Sequence, residues 1–248
     1  MTPNGSPSPD ADPDDHDLGD ETARRYRFQW TYAAIMSCML LDDTEDVQEV
    51  FCEQHEDVLL KHTDNTFTGV QVKTRGANQE VWKTRHEPIS SACARFAALE
   101  EEFPNNFRSY RLLTNHPFYS AQNGQDLPYV LEVIRAADTC FDVNGGPGRF
   151  LRKTATEAEC SDATAFRALS KTRAKDDLPK LPDASTRLIS TLTQVWPGAE
   201  SYSYAEVKEA AQALVTACAN ASSLQSDDFL LAYIPARPSP KSVLSAAA

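Results

Sequence analysis

Apolar positions recur at three- and four-residue spacing over TARRYRFQWTYAAIMSCMLL, where Tyr26, Trp30, Ala33, Ser37 and Leu40 share one side. That spacing predicts a helix with one buried face, and Asp20, Glu21 and Thr22 give it an acidic start. VQEVFCEQHEDVLLKH then reads as one strand and TFTGVQVKTR as a second, with HTDN as the turn of a hairpin. WKTRHEPISSACARFAALEEEF holds another helix, started near Pro88, with Ile89, Cys93, Phe96 and Leu99 or Phe103 on one face. FRSYRLLTN is a strand stopped by Asn115 and Pro117. The order helix, strand, strand, helix, strand predicts an α/β core with a small mixed sheet.

From residue 126 the pattern turns helical in LPYVLEVIRAAD, ATAFRALSKTR and ASTRLISTLTQVW. A final helix opens at Ser203-Tyr-Ala-Glu206, a capping box in which serine and glutamate satisfy each other's backbone N–H groups. The expected organisation is therefore a tail over 1–20, a core over 21–125, a helical extension packed on it over 126–234, and a second tail over 235–248. Residues 1–20 are rich in Pro, Asp and Ser with almost no apolar side chains. Such a segment cannot offset its own ordering entropy and is expected to be disordered, as is ARPSPKSVLSAAA at the other end.

Charge matters by location. The chain of 248 residues carries −12, but seven of its acids lie in residues 1–21, where no Lys or Arg occurs, and the rest carries −5. This excludes a broad basic surface as the main mode of nucleic-acid binding, without excluding an acidic site bridged to phosphate by metal. No apolar run is long enough for a membrane span, and no charged-then-apolar leader opens the chain, so a cytoplasmic protein is expected. The six cysteines form no CxxC pair and read as free thiols in a reducing compartment. The Lys171–Lys175 cluster reads as a solvated helix end, and His55 and His62 as exposed.

Candidate chemistry sits in EDVLLKHTDNTFTGVQVKTR, residues 56–75. Residues two apart on a strand face the same way, so Gln71 and Lys73 share a face, as do Glu53 and Asp57 on the strand before. If the strands pair, three oxygen donors and one ammonium converge, with the Val72 carbonyl as a further donor. Hard cations such as Mg2+ take such ligands, and Lys73 would stand beside an activated water. The bland alternative is a wet sheet face on which Glu53, Glu56, Asp57 and Lys73 make surface ion pairs. Gln29 fits either a buried amide or a site residue, and Arg24, Arg25 and Arg27 fit either phosphate contacts or a wet helix face.

ARRYRFQWTYA, FCEQHEDVLL, VQVKT followed by Trp82, and FRSYRLLTN together resemble the PD-(D/E)XK nuclease superfamily over residues 19–120. Within it they look most like the nuclease domain of CBASS-type anti-phage effectors, which is often fused to a SAVED sensor domain. The resemblance implies a restriction-endonuclease-like core that cuts double-stranded DNA with Mg2+, or Mn2+ in its place. It implies Asp57, Gln71 and Lys73 as catalytic, and Asp57, Gln71 and Glu53 as metal ligands. Gln29 would support the site, and Arg24, Arg25 and Arg75 would contact phosphates. It further implies a regulatory domain or subunit outside this chain and a homo-oligomer when active. Gln71 departs from the usual carboxylate before X-K. The competing reading is a non-catalytic DNA-binding or assembly module on a degenerate nuclease fold, with the helical half as an interaction platform.

Overall fold

The structure, a computed structural model, describes residues 18–42, 44–52, 56–76, 78–223 and 233–235, and for 18–25, 223 and 233–235 the backbone alone. Glu53, His55 and both tails beyond these limits lie outside the described residues. The helices are α1 (Leu18–Ser37), α2 (Glu87–Glu102), α3 (Leu127–Ala136), α4 (Gly145–Glu157), α5 (Asp162–Lys171), α6 (Ala184–Val195) and α7 (Tyr204–Ser223). The strands are β1 (Val47–Cys52), β2 (Val58–His62), β3 (Phe67–Lys73), β4 (Phe107–Thr114), β5 (Thr172–Lys175) and β6 (Tyr233–Pro235).

The six strands form one mixed sheet in the order β5-β4-β3-β2-β1-β6. Pairs β6/β1, β1/β2 and β2/β3 are antiparallel, whereas β3/β4 and β4/β5 are parallel. Parallel neighbours need crossovers, which α2 supplies between β3 and β4, and α3 to α5 between β4 and β5. One face of the sheet packs on α1, α6 and α7 through Val58, Leu60, Val70, Val72, Ala34 and Leu188. The other packs on α2 to α5 through Leu59, Tyr110, Leu112, Phe96 and Leu169. β3 is therefore central and buried on both sides, Thr68 and Gln71 as well as Val70 and Val72.

The expected strand over 47–62 is instead two. β1 ends at Cys52 and β2 begins at Val58, and these two residues pair across an antiparallel hairpin. The physical reason is EQHED, a stretch without an apolar side chain to continue the buried faces of the strand. Asp57 lies just before β2, and Glu53, expected to share its strand face, lies outside the described residues. The HTDN turn forms as expected, with Asn65 in the left-handed region at φ 64° and Thr66 N–H donating to Asp64 at 2.9 Å.

The second half is helical, but β5 joins the central sheet. Lys171 ends α5 in an ion pair with the fully buried Glu100, so the lysine cluster is not merely a solvated helix end. Ala33 and Ser37 on α1 and Leu40 in the 3-10 turn just after it are buried as expected, but Tyr26 is 48% exposed and Phe28 takes its place in the core. His62 is buried, held by Asp46 at 3.1 Å and Thr68 at 2.9 Å, against its expected exposure. The Ser203–Glu206 capping box forms, with Ser203 N–H donating to the glutamate at 2.7 Å. All six cysteines are free, and Cys38, Cys52, Cys93 and Cys218 are buried.

Candidate active site

The site lies where β3 leaves the sheet. Val70 and Val72 point into the α1 side, which sends Gly69, Gln71 and Lys73 to the opposite face. Gln71 Nε2 donates to Glu56 Oε2, and Lys73 Nζ donates to Gln71 Oε1. Carboxyl, amide and ammonium thus form one hydrogen-bonded row. Asp57 is anchored beside it, its Oδ2 accepting from Val72 N–H at 2.7 Å. Since β2 and β3 pair Val58 with Val70, the two acids that precede β2 come opposite the end of β3.

Glu56 is the member that the sequence left among surface groups. Its side chain is fully buried, and Arg95 of α2 stands 3.6 Å from Oε1. Oε1 itself is buried without a hydrogen-bond partner. Burial pushes the Glu56 carboxyl up to about 8, against smaller opposing effects from the Gln71 hydrogen bond and Arg95. Gly69 makes the room, since a Cβ there would lie 3.2 Å from Glu56 Cγ and 3.2 Å from Tyr110 Cδ1. A glycine opposite an acid was the one signal in the sequence, and it gains meaning only once the β2/β3 register is known.

Lys73 and Gln29 face a common cleft of about 370 Å³, which Val72, Arg75 and Trp82 also line. Its wall is the segment after β3. Asn115, just past β4, clamps that segment by accepting from Arg75 N–H at 2.9 Å and donating to Arg75 O at 3.2 Å. Trp82 Nε1 donates to Thr114 at 2.7 Å. The Arg75 guanidinium lies 3.6 Å from the centre of the Trp82 ring and donates to the Glu80 carbonyl. Arg75 therefore helps build the wall. Arg24 and Arg25 lie on α1 where the backbone alone is described.

The structure thus brings together Asp57, Gln71 and Lys73, adds Glu56, and sets Gln29 across the cleft. The Gln71 and Glu56 side chains are too buried for a wet sheet face. Among the described residues no three His, Cys, Asp or Glu side chains stand close enough to hold a metal ion. The oxygens of Glu56, Asp57 and Gln71 are nevertheless hard donors of the kind a divalent cation takes, and Glu56 Oε1 is buried with no hydrogen-bond donor of its own.

Two solved structures resemble this architecture. The Acinetobacter baumannii Cap4 SAVED/CARF-domain containing receptor matches with a TM-score of 0.50 at 13% identity, over 88% of this chain and 45% of that one. The Moraxella osloensis Cap4 SAVED/CARF-domain containing receptor matches with a TM-score of 0.46 at 10% identity, over 79% of this chain and 43% of that one. The chain thus spans less than half the length of these two structures. A comparison with curated protein sequences finds no match. The family model described as "Cap4, dsDNA endonuclease domain" matches residues 17–222, which takes in α1, the hairpin with Asp57, Gln71 and Lys73, and nearly all of α7. The protein belongs to the family of Cap4 dsDNA endonuclease domains.

Proposed function

We propose that this chain hydrolyses phosphodiester bonds in double-stranded DNA, with a divalent cation, as the nuclease of a bacterial anti-phage effector. The observation that carries the reading is the Glu56–Gln71–Lys73 row beside Asp57, which ends in a cleft at Lys73 and lies at the carboxyl end of a strand in a parallel pair. The core then has the PD-(D/E)XK plan, with glutamine at the position before X-K.

Asp57, Glu56 and the Gln71 amide oxygen would hold Mg2+, which Mn2+ could replace. When bound, the cation would supply charge to a phosphate oxygen and acidify a water. The chain's own groups do the rest. The Val72 N–H fixes the Asp57 carboxylate in one orientation. Gln71 is held at both ends, by Glu56 and Lys73, and so cannot swing out of line. Lys73 presents a compact ammonium to the cleft, where it stabilises charge that builds on the phosphate during attack. Gln29 and the wall built by Arg75 and Trp82 bound the space that the scissile strand would occupy.

A nuclease of this kind needs restraint. We assign that restraint to a ligand-sensing domain like the one in the Acinetobacter neighbour, in the same polypeptide or on a separate subunit, with activation through a homo-oligomer. The test is the initial rate on linear duplex DNA under activating conditions, with Mg2+ against EDTA. Lys73→Ala should lose at least about 100-fold, the usual order for one transition-state electrostatic contact. Lys73→Arg should fail too, since a planar fork does not replace a compact ammonium. Gln71→Glu should retain activity, and Asp57→Ala should abolish it with the circular dichroism unchanged. Cutting by Lys73→Ala at the wild-type rate would sink the reading and leave a DNA-binding module.

A further inference from the structure

A second cleft, of about 390 Å³, lies beside the first, and the nuclease reading gives no role to it. Arg85, Arg149 and Lys153 line it, and no acidic side chain does. That is notable in a chain of net charge −12. All three cations are exposed. Neither Arg85 nor Arg149 has an ion-pair partner among the described residues. Lys153 meets Glu157 at 3.3 Å on an exposed helix turn, where solvent screens the pair.

The cleft is held in shape by backbone contacts. Thr84 N–H donates to the Gln125 carbonyl at 3.1 Å, and Thr84 Oγ1 donates to the Gly124 carbonyl at 2.7 Å. These bonds tie the segment bearing Arg85 to the loop before α3. Gly124 in turn packs on Gly146 at the start of α4, so closely that a Cβ on Gly124 would lie 2.7 Å from the Gly146 Cα. The contact fixes α4 against that loop and sets Arg149 and Lys153, one turn apart, along the same cleft as Arg85.

The two clefts share one strip of chain. Trp82 lines the first and Thr84 the second. Extended chain advances about 3.5 Å per residue, so this spacing is on the order of 10 Å. Each strand of a duplex carries a phosphate per roughly 3.4 Å of helix axis. The walls of the two clefts at Trp82 and Thr84 are thus only a few phosphate spacings apart along a duplex.

We propose that the Arg85–Arg149–Lys153 cleft is a phosphate-contact surface for duplex DNA, gripping the backbone a few nucleotides from the scissile bond. This rests on the nuclease reading of the first cleft. A grip on phosphates carries no sequence information directly, so it positions the duplex rather than reading it. It explains how an acidic protein holds a polyanion: the positive charge is local.

The experiment is fluorescence anisotropy of a labelled 30-base-pair duplex bound by the 248-residue chain in Ca2+ buffer, between about 50 and about 200 mM salt. Arg85→Glu/Arg149→Glu should weaken binding at least about tenfold and lower the slope of log affinity against log salt by about 2. Arg85→Lys/Arg149→Lys should bind like wild type. Arg187→Glu/Lys208→Glu, on exposed positions of α6 and α7, changes net charge equally and should leave affinity unchanged. Unchanged affinity in the first variant, or an equal loss in the last, overturns the proposal while the nuclease reading stands on its cleavage assay. Wild-type protein that neither binds nor cuts duplex overturns both.

Discussion

Glu56→Gln tests the buried carboxyl through stability, without reference to cleavage. In the fold this carboxyl titrates near 8 instead of 4.5, because burial disfavours its charged form. One pKa unit corresponds to about 1.4 kcal/mol, so ionising Glu56 inside the fold costs up to about 5 kcal/mol more than ionising it in the unfolded chain. A folded pKa above the unfolded one fixes the sign. The contribution of Glu56 to stability is fully present below about pH 4.5, declines as pH rises, and is lost above about pH 8. Glutamine has the same shape and does not titrate. Wild type and variant should therefore match near about pH 5, and the variant should be more stable by about 2–5 kcal/mol near about pH 8.5.

The assay is urea unfolding, followed by circular dichroism in EDTA, at several pH values. His62 contributes a slope of the opposite sign, because burial lowers its pKa and it destabilises as pH falls. That slope is common to both proteins and cancels in their difference. Parallel curves for wild type and Glu56→Gln across the whole range would refute the reasoning. Mg2+ added near about pH 8.5 should raise the unfolding midpoint of the wild type and leave that of the variant nearly unchanged, since a ligand that binds only the folded state stabilises it.

Gly69→Ala should cost about 1–3 kcal/mol in urea unfolding, because the new methyl presses on Glu56 Cγ and the Tyr110 ring at 3.2 Å. It should also lower the cleavage rate, by shifting the acid that holds Gln71. Lys171→Met should cost about 3 kcal/mol or more, since it leaves fully buried Glu100 without the ammonium that donates to both its oxygens at 2.7 and 2.8 Å. The double variant Glu100→Gln/Lys171→Met should recover most of that loss, and a double variant as unstable as Lys171→Met alone would show that the loss is one of packing.

How much of this site can be read from the sequence depends on the distance over which each relation acts. Gln71 and Lys73 are two residues apart on a strand, and a period of two places them together wherever the strand lies. The β2/β3 hairpin is equally local, because HTDN turns as its residue types require. The faces of α1 and α2 follow from helical spacing, apart from Tyr26. Glu56 follows from nothing local. EQHED holds four acids or amides about one histidine, and all look equally fit for water. Glu56 is buried because the chain reverses there, Gly69 leaves a space opposite, and Arg95 arrives from a helix nearly forty residues later. β5 is hidden for the same reason. TRAK has four residues and no apolar alternation, and it becomes a strand because β4 offers a parallel edge to it. The departure from the common carboxylate at position 71 then has a physical reading. A neutral amide can donate to Glu56 and accept from Lys73 at once, which a carboxylate cannot do. Glutamine here links the ammonium to a buried carboxyl, and the carboxyl group absent from position 71 is supplied by Glu56, which precedes β2.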